Sequence, residues 1–167
     1  WWSVRTWDAG GQAGDWSDAA SFGTAVKSDW QGQPIWTSVP TLGSDYSLEA
    51  DFSVTTVALG IKFRASGGNS FMWQIRGDSS NELRPHVQVN GTYTQMKAVK
   101  LPMTIGLNTT HHLKLDAVGS TITTSIDGVV VDTTTDTRNP SGSVGFRTGS
   151  TESGKVDNVK VTSAGGT

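Results

Sequence analysis

From Asp45 onwards apolar and polar side chains alternate with a period of two, the signature of strands that bury one face. In the first run Tyr46, Leu48, Ala50, Phe52 and Val54 share one face, and Glu49, Asp51 and Ser53 share the other. Further runs cover Val57–Ala65, Ser70–Gly77, Leu83–Asn90, Thr92–Val99, His111–Val118, Thr121–Ile126, Val129–Thr134, Ser143–Arg147 and Lys155–Thr162. Turn chemistry separates them. Ser66-Gly67-Gly68-Asn69 reads as a hairpin loop, while Asn90-Gly91 and Asp127-Gly128 suit the tight turns that need positive φ at both central positions. Short strands punctuated at these intervals predict an all-β fold, a two-sheet antiparallel sandwich.

Composition agrees with this class. The chain of 167 residues holds 20 Gly and 22 Thr, with only 17% charged residues, so turn and strand formers outweigh helix formers. Six of the seven Trp fall within residues 1–36, which sets the N-terminal part apart. Two strands are expected there, Ser3–Asp8 and Trp16–Gly23. A two-stranded piece buries no core of its own, so it is expected to complete another domain or to dock. The expected organisation is a tail or docking hairpin over 1–24, a connector over 25–43, the sandwich over 44–162 and a short tail over 163–167.

Charge and cysteine content narrow the function. A formal net charge of −2 offers no bulk basic surface for nucleic acid. No apolar run approaches the length of a membrane span, and no leader pattern is visible, so a membrane partner is not expected. With no cysteine, disulfides, thiolate zinc sites and cysteine nucleophiles are excluded.

The middle strands carry the candidate chemistry. Ile61, Phe63, Phe71, Trp73, Ile75, Leu83, Val87 and Val89 share the apolar parity. The opposite parity presents Lys62, Arg64, Gln74, Arg76, Arg84, His86 and Gln88 on one sheet face. Planar, multiply hydrogen-bonding side chains of this kind match pairs of sugar hydroxyls, so Arg64, Gln74, Arg76, Arg84 and His86 are the candidate sugar-binding residues. The alternative is an ordinary solvated face on a structural spacer domain. The loop from Gly77 to Glu82 concentrates hard oxygen ligands, making Asp78 and Asn81 candidate Ca²⁺ ligands. Asn69, in a loop at the other end of its strand, is a separate candidate. His111 and His112 point to opposite faces of one strand, so they do not chelate one metal; His112 belongs on the polar face and His111 beside Leu113. Glu49 and Asp51 share a face, but the third carboxylate of the Glu-x-Asp-x-x-Glu pattern of sandwich-fold endoglucanases is replaced by Val54.

Two stretches resemble known proteins. Trp2–Asp8, Asp15-Trp16-Ser17, Phe22, Asp29-Trp30 and Ile35-Trp36 resemble the end of a fibronectin type III-like domain, and the Asp-Trp segment leading into the next domain, in multidomain bacterial α-L-rhamnosidases. Tyr46–Phe52, Gly60–Ala65, Phe71–Gln74 and Leu83–Val87 resemble the carbohydrate-binding module of family 67 within those enzymes. Gly145-Phe146-Arg147 and Val156–Val159 are similar to the closing strands of concanavalin A-like jelly-roll sandwiches. The resemblance implies a secreted bacterial, non-catalytic module that binds terminal L-rhamnose through a Ca²⁺ bridge, as an accessory to a multidomain glycoside hydrolase. The family's metal site uses an adjacent Asp-Asn pair with backbone carbonyls. Here Gly68-Asn69 lacks the acid, and the one Asp-Asn pair, Asp157-Asn158, lies in the last strand, where a β-bulge is expected.

Overall fold

A computed structural model describes Gly10, Gln12, Ala13, Asp15 and residues 43–163. The chain divides into two units, Trp1–Thr37 and Ser38–Thr167. The strands expected at Ser3–Asp8 and Trp16–Gly23 lie outside the described residues.

The second unit holds β1 (Tyr46–Val54), β2 (Ala58–Ser66), β3 (Asn69–Arg76), β4 (Glu82–Val89), β5 (Thr92–Gln95), β6 (Val99–Lys100), β7 (His111–Val118), β8 (Thr121–Ile126), β9 (Val129–Thr135), β10 (Ser143–Arg147) and β11 (Gly154–Ser163). They form two antiparallel sheets. The first has the order β11-β1-β7-β8-β9, and the second has β10-β2-β3-β4-β5 with β6 also paired to β4. This is the all-β two-sheet sandwich that the alternation predicts. Among the described residues there is no helix, so none is long and apolar enough to cross a membrane.

The turns obey their residues. Asn90-Gly91 has φ of +50° and +84°, and Asp127-Gly128 has +50° and +79°, both central positions lying in the left-handed region. The expected run Thr92–Val99 is instead split between β5 and β6. It breaks opposite Pro85, which has no N–H to continue the ladder; the Met96 N–H donates to the Pro85 carbonyl at 2.8 Å.

The core lies between the two inner faces. Leu48, Phe52, Ile61, Phe63, Phe71, Trp73, Ile75, Leu113, Leu115 and Ile122 are all buried there. Trp73 packs edge-on against Phe63, with centroids 4.7 Å apart and an interplanar angle of 81°. Its indole N–H crosses to the other sheet and donates to Thr124 Oγ1 at 2.9 Å, so the one polar atom of the largest core side chain is satisfied. Val89 departs from the expected core set. It ends β4 beside the Asn90-Gly91 turn and is 43% exposed.

Register shifts interrupt the regular parity at four places among the described residues, and two of them bear on the candidate sites. On β2, Arg64 and Ala65 together oppose Ser70, and Arg64 has φ of +47°. On β11, Asn158 and Val159 oppose Ala50, with Asn158 at +50°, which places the expected bulge at the Asp-Asn pair.

Candidate functional site

Register places the outward side chains of the second sheet in rows. Arg147, Gly60, Gln74 and Arg84 form one row across β10, β2, β3 and β4. Gly145, Lys62, Met72, His86 and Gln95 form the next. Of the residues expected to bind sugar, Gln74, Arg84 and His86 therefore come together on this face. Arg76, at the end of β3, sits at its rim.

Arg64 is a correction. The bulge turns it off the face, and it is 1% exposed at one end of the sandwich. Its Nη2 donates to the Ser44 carbonyl at 2.6 Å and lies 3.9 Å from Asp45, while Nε and Nη1 have no partner. It lines a cavity of about 160 Å³ with Gly119, Ser120, Asp136, Thr137 and Pro140.

The remaining face combines unspent donors and acceptors. The Gln74 amide NH₂ donates to Glu152 Oε1 at 2.6 Å, which leaves the amide oxygen as an acceptor. The other Glu152 oxygen accepts the Gly149 N–H at 2.7 Å and lies 3.9 Å from Arg147 Nη1. Arg84 uses Nε and Nη2 on Glu82, at 2.9 and 2.8 Å, leaving Nη1 for a ligand. Glu82 also takes Lys100 at 3.0 Å; Lys100 and then Arg84 hold its carboxyl below the usual range. His86 Nδ1 lies 2.7 Å from the Arg84 carbonyl, which can only accept, so the ring proton sits on Nδ1 and Nε2 is an acceptor. Burial pushes the His86 pKa down, and the Arg147 and Arg84 charges push the same way, which favours the neutral ring. Arg147 lies over the Tyr93 ring, 5.1 Å from its centre.

Arg147, Glu152 and Tyr93 belong to this constellation, although their residue types did not single them out. The parity of Ser143–Arg147 carries the signal for Arg147. Glu152, in the loop between β10 and β11, carries none, because a contact with Gln74 across 78 positions is invisible to local pattern.

The expected Ca²⁺ ligands do not fit that ion. Asp78 accepts from the Arg76 guanidinium and from Ser80, and Arg76 holds its carboxyl down to about 2. Asn81 gives its NH₂ to the Met103 carbonyl at 2.8 Å and accepts the Ile105 N–H at 2.9 Å. Asn69 accepts the Asn90 N–H at 3.0 Å in the hairpin loop at the far end of β3. Each is bonded to protein groups, and among the described residues no three His, Asp or Glu side chains are placed to share a metal.

The outer face of the first sheet is organised differently. Glu49 and Asp51 flank His112, whose Nδ1 lies 2.8 Å from Asp51 and Nε2 3.6 Å from Glu49. The Asp51 hydrogen bond, followed by the charges of both acids, raises the His112 pKa. Val54, at the position where the endoglucanase pattern needs a third acid, is fully buried in the core. Beside Asp51 the β11 bulge forms an open cavity of about 260 Å³ with Ser53, Thr110, Lys155, Asp157 and Asn158. Asp51 already binds His112 and the Asn158 amide there, at 2.8 and 2.7 Å. His111 is buried against the Phe52 ring, its two nitrogens facing Asp127 at 2.6 Å and the Ile105 carbonyl at 2.8 Å.

No family model matches the chain, and no curated protein matches it. Solved structures do. The carbohydrate binding module CBM66 from Bacillus subtilis is 21% identical, with a TM-score of 0.65 over 72% of this chain and 76% of that one. Chicken galectin 2 is 8% identical, with a TM-score of 0.62 over 74% of this chain and 95% of that one. The galectin LEC-6 of Caenorhabditis elegans is 12% identical, with a TM-score of 0.59 over 73% and 85%. The sandwich thus shares its fold with a carbohydrate-binding module and with galectins.

Proposed function

We propose that this chain is a non-catalytic carbohydrate-binding module that seats a sugar on the outer face of the second sheet. The observation that carries the reading is the convergence of Gln74, Arg84, His86 and Arg147 there, with acceptors at the Gln74 oxygen and His86 Nε2 and donors on both guanidiniums. A sugar hydroxyl both donates and accepts, so such a face matches it without proton transfer. The neighbouring structures, a carbohydrate binding module and galectins, support the reading through their shared fold.

The sugar we propose is terminal L-rhamnose, and the setting is a secreted multidomain glycoside hydrolase of the α-L-rhamnosidase kind; both rest on the sequence resemblance. Hydrogen bonds from the sheet face, rather than a calcium bridge, hold the sugar. A shallow site of this type binds with roughly −5 to −7 kcal/mol. It acts by keeping an attached catalytic domain near its glycan, which raises effective concentration.

One observation favours a second reading. Much of the face is paired internally, Gln74 with Glu152, Arg84 with Glu82 and Arg76 with Asp78, as a structural spacer requires. Calorimetric titration with L-rhamnose and a panel of monosaccharides, in calcium and then in excess chelator, separates them. Saturable binding that survives chelation and is lost in Arg84→Ala is expected. Silence throughout the panel contradicts the module and leaves the spacer. Binding that vanishes on chelation restores the calcium bridge.

A further inference from the structure

The outer face of the second sheet carries more positive charge than its own carboxylates neutralise. Lys62, Arg76, Arg84, Lys100 and Arg147 stand on it or at its rim, against Asp78, Glu82 and Glu152. That is an excess of two positive charges on a chain whose formal net charge is −2. The distribution within the face is also uneven. Asp78 is taken by Arg76, and Glu82 is shared by Arg84 and Lys100. Glu152 is taken by the Gln74 and Gly149 N–H groups and stays 3.9 Å from Arg147, beyond hydrogen-bond distance. Lys62 has no ion-pair partner among the described residues.

Arg147 thus has no hydrogen-bonded carboxylate, only the Glu152 charge at 3.9 Å, and it is positioned rather than free. The Tyr93 ring backs it at 5.1 Å. Gly60 beside it carries no side chain: a Cβ there would lie 3.0 Å from the Arg147 carbonyl oxygen and 3.4 Å from its Cβ. A guanidinium backed by a ring keeps its N–H edges open, and those edges match a planar carboxylate in two parallel hydrogen bonds. A wholly neutral sugar would leave Arg147 without a hydrogen-bonded acid and the neighbouring Lys62 without an ion-pair partner.

We propose that the natural glycan is acidic, with a uronate residue whose carboxylate is received by Arg147 beside the sugar held by Gln74, Arg84 and His86. This rests on the sugar-binding reading above and narrows its ligand class. The Lys62 ammonium and the charge excess add longer-range attraction, which salt screens.

The test compares an oligogalacturonide with the same oligosaccharide after carboxyl reduction, titrated calorimetrically at low and raised salt, with circular dichroism confirming each variant's fold. The acidic form is expected to bind at least about tenfold more tightly, an advantage that shrinks with salt and disappears in Arg147→Gln. Arg147→Lys, which keeps the charge without the fork, is expected to retain only part of it. Equal affinity for the two forms overturns the uronate and leaves the sugar-binding reading standing, as does binding of L-rhamnose with no binding of the acidic oligosaccharide. Competition by acetate as strong as by the oligosaccharide also overturns it, since the site would then take anions and not glycans. If no saccharide binds, acidic or neutral, both readings fall together.

Discussion

The Arg147 guanidinium lies 5.1 Å from the centre of the Tyr93 ring, although Arg147 belongs to β10 and Tyr93 to β5, at opposite ends of the second sheet. Neighbouring strands lie about 4.8 Å apart, so four intervals separate these two by on the order of 19 Å. The two side chains must therefore lean towards each other across the intervening strands. The candidate site is assembled from both edges of the sheet, and its geometry depends on what the middle strands leave clear.

Gly60 is where that clearance is most open to test. An alanine Cβ would lie 3.0 Å from the Arg147 carbonyl oxygen and 3.1 Å from Met72 Sδ. Met72 can shift, but the β10 backbone yields only by moving the strand. Gly60→Ala is expected to cost about 1–3 kcal/mol of stability and to weaken sugar binding through displaced Arg147. Chemical denaturation and titration of the same variant check both effects.

Arg64 has the opposite status. Its side chain is buried away from the face, with Nε and Nη1 unpartnered, so Arg64→Met should leave sugar affinity unchanged. The variant loses the bond to the Ser44 carbonyl but removes a poorly compensated buried charge. The two effects oppose each other, and a net stability change below about 2 kcal/mol is expected. A tenfold loss of affinity would return Arg64 to the site.

The histidines should titrate in opposite directions. His86 is depressed from its ordinary 6.5 by burial and by Arg147 and Arg84, whereas His112 is raised from 6.5 by Asp51 and Glu49. As pH falls below 6.5 the unfolded chain protonates at His86 before the folded one does. The His86 contribution to stability is therefore complete above 6.5 and lost as pH falls through its lower folded value. Sugar binding takes the same course, because protonation removes the Nε2 acceptor. Imidazole NMR titration should give a midpoint below 6.5 for His86 and above 6.5 for His112; a reversed order contradicts the assigned environments.

The bond between the sheets predicts a coupling. Trp73→Phe leaves the fully buried Thr124 hydroxyl without its donor, and Thr124→Val strands the Trp73 indole N–H. Each should cost about 1–3 kcal/mol, and the double variant should cost less than their sum, because it leaves no orphaned partner. Additive losses measured by denaturation would show that the two groups do not depend on each other.

The sandwich was legible because alternation and turn chemistry are local properties. Asn90-Gly91 and Asp127-Gly128 adopt the backbone their residues favour, and Phe52, Phe63 and Trp73 bury on the parity they share. The outward placement of Gln74, Arg84 and His86 was legible for the same reason. Arg64 was not, because a bulge shifts parity by one residue, and an arginine in a left-handed conformation has no sequence signature. Asp78, Asn81 and Asn69 show a different limit. Residue type suggested ligands, while the hydrogen bonds that consume them join positions as far apart as Asn81 and Ile105. Glu152 and Tyr93 enter the site only through tertiary placement, on elements whose own patterns are ordinary.

Mapping amide chemical-shift changes by NMR during titration with L-rhamnose and an acidic oligosaccharide locates the sugar on the protein. Saturable shifts are expected to centre on Gly60, Gln74, Arg84, His86 and Arg147, with the first sheet unchanged. Shifts centred instead on Asp51, Asp157 and Asn158 at the β11 bulge would contradict that placement and move the site to the opposite face.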